Sequence, residues 1–306
     1  MKFALNIPLV KVTTDGMGSA GRQVRVLVRA LEQAGLDACL TSEHPAPSAH
    51  WLHNDPGGHD CTDPLTAFAY VAACSERLQL FTNIIVLPYR NPFVLAKAAA
   101  TLQILSDNRL LLGVGVGYQQ EEFDALGVPF RERGALADEA IETLREIWAG
   151  GAIAKKGRHF DALGNESRPV PTPPPPIWVG GGSDAALARA ARLGDGWAPY
   201  FLVPTNDPDV RRSAVVDMDH FGEKAARLHD LRAQHGRTGP FDMAVAPPFR
   251  PKEPTKENAE KFLGEVAELE AHGVSWIWTS VPSHDEGLYL EMVAWFGEDV
   301  IGAWRK

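Results

Sequence analysis

The 306-residue chain carries thirty Lys and Arg against thirty-nine Asp and Glu, a formal net charge of −9, with 45% hydrophobic and 23% charged residues. This is the composition of a globular protein with a large core, which excludes disordered, collagen-like and coiled-coil architectures; the length suits two average domains or one α/β barrel. The acidic balance repels nucleic acid and anionic membrane surfaces, so neither is an expected partner, and an anionic small molecule would need a local trap.

The start, MKFALNIPLV, is too short and polar-flanked for a signal peptide, and no run reaches the roughly 18 apolar residues of a membrane span. Cys39, Cys61 and Cys74 stand in apolar or mixed contexts without a disulfide framework, so a cytoplasmic location is expected. KFALNI (Lys2 to Ile7) predicts the first strand. From Gly21 the apolar residues Val24, Leu27, Val28 and Leu31 keep helical spacing, Gly35 marks the helix end, and LDACLTS follows as a buried strand. Helices are predicted at Pro64 to Ser75, Asn91 to Leu105, Arg133 to Trp148 and Asp184 to Leu193. The strands between them are RLQLFTNIIV (Arg77 to Val86), RLLLGVGV (Arg109 to Val116) and PIWVGG (Pro176 to Gly181). GWAPY (Gly196 to Tyr200), a helix from Val215 to Gln234, FDMAVA (Phe241 to Ala246), a helix from Thr255 to His272, VSWIWTS and a helix from Asp285 to Phe296 complete the alternation.

Alternating βα units with strands apolar on both faces call for a parallel sheet, and eight such units favour a closed (β/α)8 TIM-like barrel over an open doubly wound sheet. The chain reads as one barrel domain over residues 1–306. The Gly- and Pro-rich segment Ala152 to Pro176 is an excursion on it, placed before the fifth predicted strand. Barrel chemistry lies where strands end at their C-termini, which singles out Asn6, Glu43-His44, Thr82-Asn83, Gly113 to Tyr118, Gly180 to Ser183, Trp197 and Thr279.

Three features there carry chemistry. Gly113, Gly115 and Gly117 follow the fourth predicted strand, and Gly180, Gly181, Gly182 and Ser183 follow the fifth and open a helix. Such clusters either let backbone N–H groups approach a phosphate without basic side chains or serve tight strand–helix packing. The spacing does not fit a dinucleotide fingerprint. His44, beside Glu43, is a strand-end imidazole that a neighbouring carboxylate could orient for proton transfer, or a rim residue bonded to backbone. His50, His53, His59, Asp60 and Cys61 in the loop after it fit no compact metal-ligand motif, and no metal is expected. Thr82-Asn83 interrupts an apolar strand, as a bulge under a flat ligand would, or as a buried polar pair bonded to its neighbours would.

The stretches TSEH, DPLTAFAYVAACSERLQLFTNIIVLPYRNPFVLAKAAATLQILSDNRLLLGVGVGYQQEEFDALGVPFRERGALADEAIETLREIW and PPIWVGGGSDAALARAARLGDGWAP resemble the luciferase-like monooxygenase superfamily, especially its F420-dependent oxidoreductase subgroup. The resemblance spans roughly residues 37 to 199. It implies a luciferase-type TIM-like barrel with an insertion before strand 5, a cofactor ring over a strand 3 bulge at Thr82, Asn83 and Ile84, and a non-proline cis peptide at or beside Asn83-Ile84. It also implies a cofactor phosphate near Gly115, Val116, Gly180, Gly181, Gly182 and Ser183, with Glu43 counted among the cofactor-binding residues. His44 matches the strand 2 histidine of relatives acting on alcohols and sugar phosphates. Tyr118 stands where the sugar-phosphate relatives carry an acid. With no Lys or Arg from Leu193 to Val210, a sugar phosphate is not the expected substrate. The implied activity is hydride transfer between the C5 carbon of coenzyme F420 and a small organic substrate, with His44 or Tyr118 moving the proton. An FMN-dependent monooxygenase and a non-catalytic flavin-binding barrel are the alternatives, and a homodimer is the expected assembly.

Overall fold

The computed structural model describes residues 1–15 and 19–306. Strands β1 (Lys2–Asn6), β2 (Ala38–Thr41) and β3 (Gln79–Thr82) pair in parallel, followed in chain order by β4 (Ile85–Val86) and β5 (Leu110–Gly115). β4 continues β3 after a break at Asn83 and Ile84: the two halves pair with successive parts of β5, Leu80 with Leu110 and Ile85 with Val114. The Asn83–Ile84 peptide is cis, as the resemblance implies. An antiparallel hairpin of β6 (Ile153–Lys156) and β7 (Asp161–Asn165) comes next. Then β8 (Ile177–Gly180), β9 (Gly196–Ala198), β10 (Asp242–Val245) and β11 (Trp276–Thr279) complete the circuit, β8 pairing with β5 and β11 with β1. With β3 and β4 as one interrupted stave, the result is the closed eight-staved parallel barrel that the sequence predicts.

Period-two alternation decides which side chains fill the barrel. Ala4, Ala38, Leu40, Phe81, Leu111, Trp178, Ala198, Ala244 and Trp276 point inward and pack together, while Phe3, Leu5, Cys39, Leu80, Leu112 and Val179 face the helices. Trp178 meets Phe81 and Trp276 edge-on at centroid distances of 5.0 and 5.4 Å. Its bulk is accommodated by Gly196 on β9, where a Cβ would lie 2.3 Å from the indole.

The larger helices fall where apolar spacing places them, and most begin on side-chain caps, Ala20–Gln33 and Arg133–Ala149 being exceptions. Asp63 caps Pro64–Cys74, Asn91 caps Pro92–Leu105, Ser183 caps Asp184–Leu193 and Thr255 caps Lys256–Ala271. The helix expected from Val215 instead starts at Met218, because Val215 is bridged to Phe201 and Asp217 supplies the cap. The excursion packs on the outside of the barrel: Phe160 meets the Phe93 ring, Lys155 pairs with Glu146, and Gln103 donates to the Pro173 carbonyl. Among the described residues no helix is long and apolar enough to cross a membrane.

Candidate active site

A cleft of about 640 Å³ opens at the C-terminal ends of the staves. Asn6, His44, Asn83, Ile84, Gly115, Val116, Tyr118, Gly180, Gly181, Ser183, Ala198 and Trp278 line it, so seven of the eight staves contribute, together with loop residues such as Trp51, His59 and Val203. Strand alternation shifts the expected rim by one residue on two staves. Ala198 reaches the cleft and Trp197 does not; Trp278 and Ser280 reach it and Thr279 does not.

His44 lies at the centre of a buried polar cluster. Its Nδ1 lies 3.1 Å from Glu122 Oε2, and Glu122 also accepts hydrogen bonds from the Ala46 amide at 3.0 Å and the Tyr89 hydroxyl at 3.1 Å. A carboxylate holding Nδ1–H leaves Nε2 as the acceptor nitrogen. The Gln119 side-chain amide also stands 3.2 Å from Nδ1. Nε2 meets the Tyr118 hydroxyl at 3.3 Å. Burial holds the Tyr118 phenol well above its ordinary pKa, so it stays a hydroxyl and donates. Trp51 and His59 pack against the imidazole at ring distances of 4.6 and 4.9 Å.

Glu43 is not the partner of His44, which corrects the sequence reading. Neighbouring residues in an extended segment point opposite ways. The Glu43 carboxylate turns behind the bulge, accepting from the Val86 amide at 2.7 Å and from Arg90, which also pairs with Asp63. Burial pushes the Glu43 carboxyl above its ordinary pKa even with Arg90 beside it. It fixes β4 from beneath and itself lines the cleft, where the sequence reading counts it.

Two other expected cofactor contacts do different work. Thr82 is fully buried and outside the cleft, its hydroxyl donating to the Gly113 carbonyl at 2.9 Å. The Gly182 amide is taken by the Ser213 carbonyl at 2.6 Å, so it is not free for an anion. Asn83, Ile84, Gly115, Val116, Gly180, Gly181 and Ser183 do line the cleft. The packing reading of the first glycine cluster holds, and the cluster also reaches the cleft. A Cβ on Gly113 would stand 2.0 Å from the Thr82 carbonyl oxygen, and one on Gly115 would stand 1.9 Å from Ile84 Cδ1, yet Gly115 also faces the cleft.

The sequence reading missed Arg133 and Arg212, which line the cleft near Ser183. Arg133 pairs with Asp209 at 3.1 Å, and Arg212 pairs with the same carboxylate. The cleft thus holds guanidinium groups, both tied to Asp209, as well as Ser183 at the N-terminus of the helix from Asp184. Arg212 stands just past the base-free stretch noted in the sequence.

A closed parallel barrel with an interrupted third stave, a glycine-edged cleft and a carboxylate-held histidine defines a luciferase-type barrel, and the chain belongs to the luciferase-like monooxygenase family, which it matches over residues 1–261. An uncharacterized protein of Mycobacterium tuberculosis is 38% identical over 177 residues, 58% of this chain and 56% of that protein, so the match spans little more than half of the relative. The F420-dependent glucose-6-phosphate dehydrogenase of Mycolicibacterium gilvum is 26% identical over 89% of this chain and 92% of its own. Among solved structures, an F420-dependent secondary alcohol dehydrogenase in complex with an F420-acetone adduct superimposes with a TM-score of 0.76 over 98% of each chain at 14% identity, a likeness of fold.

Proposed function

We propose that the protein is an F420-dependent oxidoreductase that moves a hydride between the deazaflavin ring and a small organic substrate. The observation that carries this reading is the His44 cluster: an imidazole whose Nδ1 is held by Glu122 and whose Nε2 shares the cleft with the apolar floor of Ile84 and Val116. A flat tricycle fits these residues. Gly115 leaves Ile84 room, and a larger residue there would fill the recess. Ser183, Gly181, Arg133 and Arg212 would hold its phosphate, and the naming of the Mycolicibacterium relative favours F420 over FMN.

When bound, the deazaflavin supplies the carbon that gives or accepts the hydride. His44 Nε2 takes the proton of a substrate hydroxyl, or returns it, and Glu122 stabilises the imidazolium that results. Tyr118, whose hydroxyl meets Nε2, would turn its one O–H to the substrate oxygen and leave the nitrogen free to accept. Trp51 and Val203 exclude water from the mouth.

Titrating the purified protein with F420 and with FMN tests the reading. Preferential F420 binding is expected. Tighter FMN binding with oxygen consumption would assign it to the monooxygenases, and binding without turnover would support the non-catalytic alternative.

A further inference from the structure

The loops after β2 and β9 meet across the mouth of the cleft. In the barrel order these are the second and sixth staves, which stand opposite each other, so a contact between their loops bridges the opening from side to side. Trp51 and Gly57 of the first loop and Val203 and Thr205 of the second all line the cleft. One carboxylate joins the two loops. Asp55 follows the short helix Ala49–Asn54 and accepts from the Gly57 amide of its own loop at 2.7 Å. Across the gap it accepts from the Asn206 amide at 2.8 Å and from the Thr205 hydroxyl at 3.2 Å. Thr205 is buried, and Arg211 grips its carbonyl with two N–H groups at 2.9 and 2.7 Å. Among the described residues every hydrogen bond between the two loops ends on Asp55.

Elsewhere each loop is tied to its own base. Glu122 accepts from the Ala46 amide and Ser42 meets Cys61 at the neck of the first loop. In the second, the Val215 amide donates to the Tyr200 carbonyl, the Gly182 amide to the Ser213 carbonyl, and Arg133 pairs with Asp209. Firm bases with a single hydrogen-bonded junction between the tips let that junction open without disturbing the barrel. We propose that Asp55 is the latch of a two-loop gate, and that molecules enter and leave the cleft when its bonds to Thr205 and Asn206 break. The helix that ends at Asp55 also carries Trp51, which packs on the His44 imidazole at a ring distance of 4.6 Å. Opening the latch therefore loosens the cover over His44, and closing it restores a dry site. The gate does not depend on which ring the cleft takes.

Amide hydrogen exchange and stopped-flow binding test this. In the ligand-free protein Asp55→Ala should speed exchange at both Gly57 and Asn206 by about tenfold or more, the worth of a hydrogen bond to a charged group. Thr205→Val keeps the carboxylate, so it should speed Asn206 by a smaller factor and leave Gly57 slow. Association of F420, followed by its fluorescence, should level off at the opening rate in wild type. In Asp55→Ala that plateau should rise by about the same factor as the exchange, with dissociation rising in step and equilibrium affinity little changed; a residue that only supported the site would raise dissociation alone. Thr205→Val should move the plateau the same way by less, which keeps the test decisive if Asp55→Ala does not fold. Wild-type association that never levels off, a plateau that neither variant moves, or Asn206 exchange as fast in wild type as in both variants would overturn the gate. The same plateau behaviour with FMN in a protein that does not bind F420 would uphold the gate and remove only the cofactor reading.

Discussion

The imidazole of His44 is held at Nδ1 by the carboxylate of Glu122, 3.1 Å away and 78 residues further along the chain. His44 follows β2, and Glu122 sits on the short helix Gln120–Ala125 after β5, so the pair forms once the neighbouring staves β2, β3 and β5 have paired side by side.

Glu122→Gln should leave F420 binding intact and lower kcat by up to about 10²-fold, because an amide can still touch Nδ1 but cannot balance an imidazolium. Nitrogen NMR of His44 gives a reading that a structural role alone would not move. In wild type Nε2 should show the unprotonated shift, and in the variant both tautomers should appear. A single unchanged tautomer would show that Glu122 does not set it.

His44→Ala should retain cofactor binding and slow turnover by about 10² to 10⁴-fold, the usual contribution of a positioned acid–base group. Turnover should show a partial return with added imidazole, whose access to the cleft next to Trp51 can be followed kinetically. Unchanged kcat would leave His44 as a rim residue.

Gly115→Ala should destabilise the protein by about 1 to 3 kcal/mol, the usual cost of overpacking, and weaken cofactor binding as Ile84 is driven into the recess. The added Cβ would stand 1.9 Å from Ile84 Cδ1. Thermal denaturation of Gly115→Ala, Ile84→Val and the double variant measures the coupling. Shortening Ile84 should restore part of the loss, and strictly additive effects would contradict the contact.

Cys61 should alkylate slowly near neutral pH. Burial, only partly offset by the hydrogen bond with Ser42, pushes its thiol up to about 11, and Asp60 and Glu122 add to the shift. Two units less thiolate, offset in part by a more nucleophilic sulfur, leaves it roughly tenfold slower than a free thiol at pH 8. Iodoacetamide labelling followed by mass spectrometry should show the rate rising steadily to beyond pH 10; a plateau below pH 9 would contradict the shift.

The barrel was legible in the sequence because its staves are apolar on both faces and its long helices keep their spacing. The hairpin was not: Ile153–Lys156 and Asp161–Asn165 are short, mix apolar, small and charged residues without alternation and are mostly exposed, so they carry no core signal. Short helices such as Ala49–Asn54 and Pro208–Ser213 are too brief for periodicity to register. At the site, strand-end position located His44, Asn83 and the glycines. Assigning Glu43 to His44 failed because adjacency along an extended chain separates side chains. Glu122, Arg133 and Arg212 lie on helices, where neither stave ends nor glycine runs point to them. The EEF run containing Glu122 was visible, but only the pairing of β2, β3 and β5 shows which carboxylate turns toward His44.

Gly113 and Gly115 constrain how this cleft can diversify. Any side chain at either position collides with the third stave, so β5 offers no variable position beneath the floor, and a mutational library there would return mostly glycine. Altered ring preference must come from Ile84 or Val116 instead. Change at the mouth is open to the loops carrying Trp51, His59 and Val203, which line the cleft away from β5. Floor and mouth are thereby separable in this scaffold, one fixed by close strand packing and the other open to change in the loops.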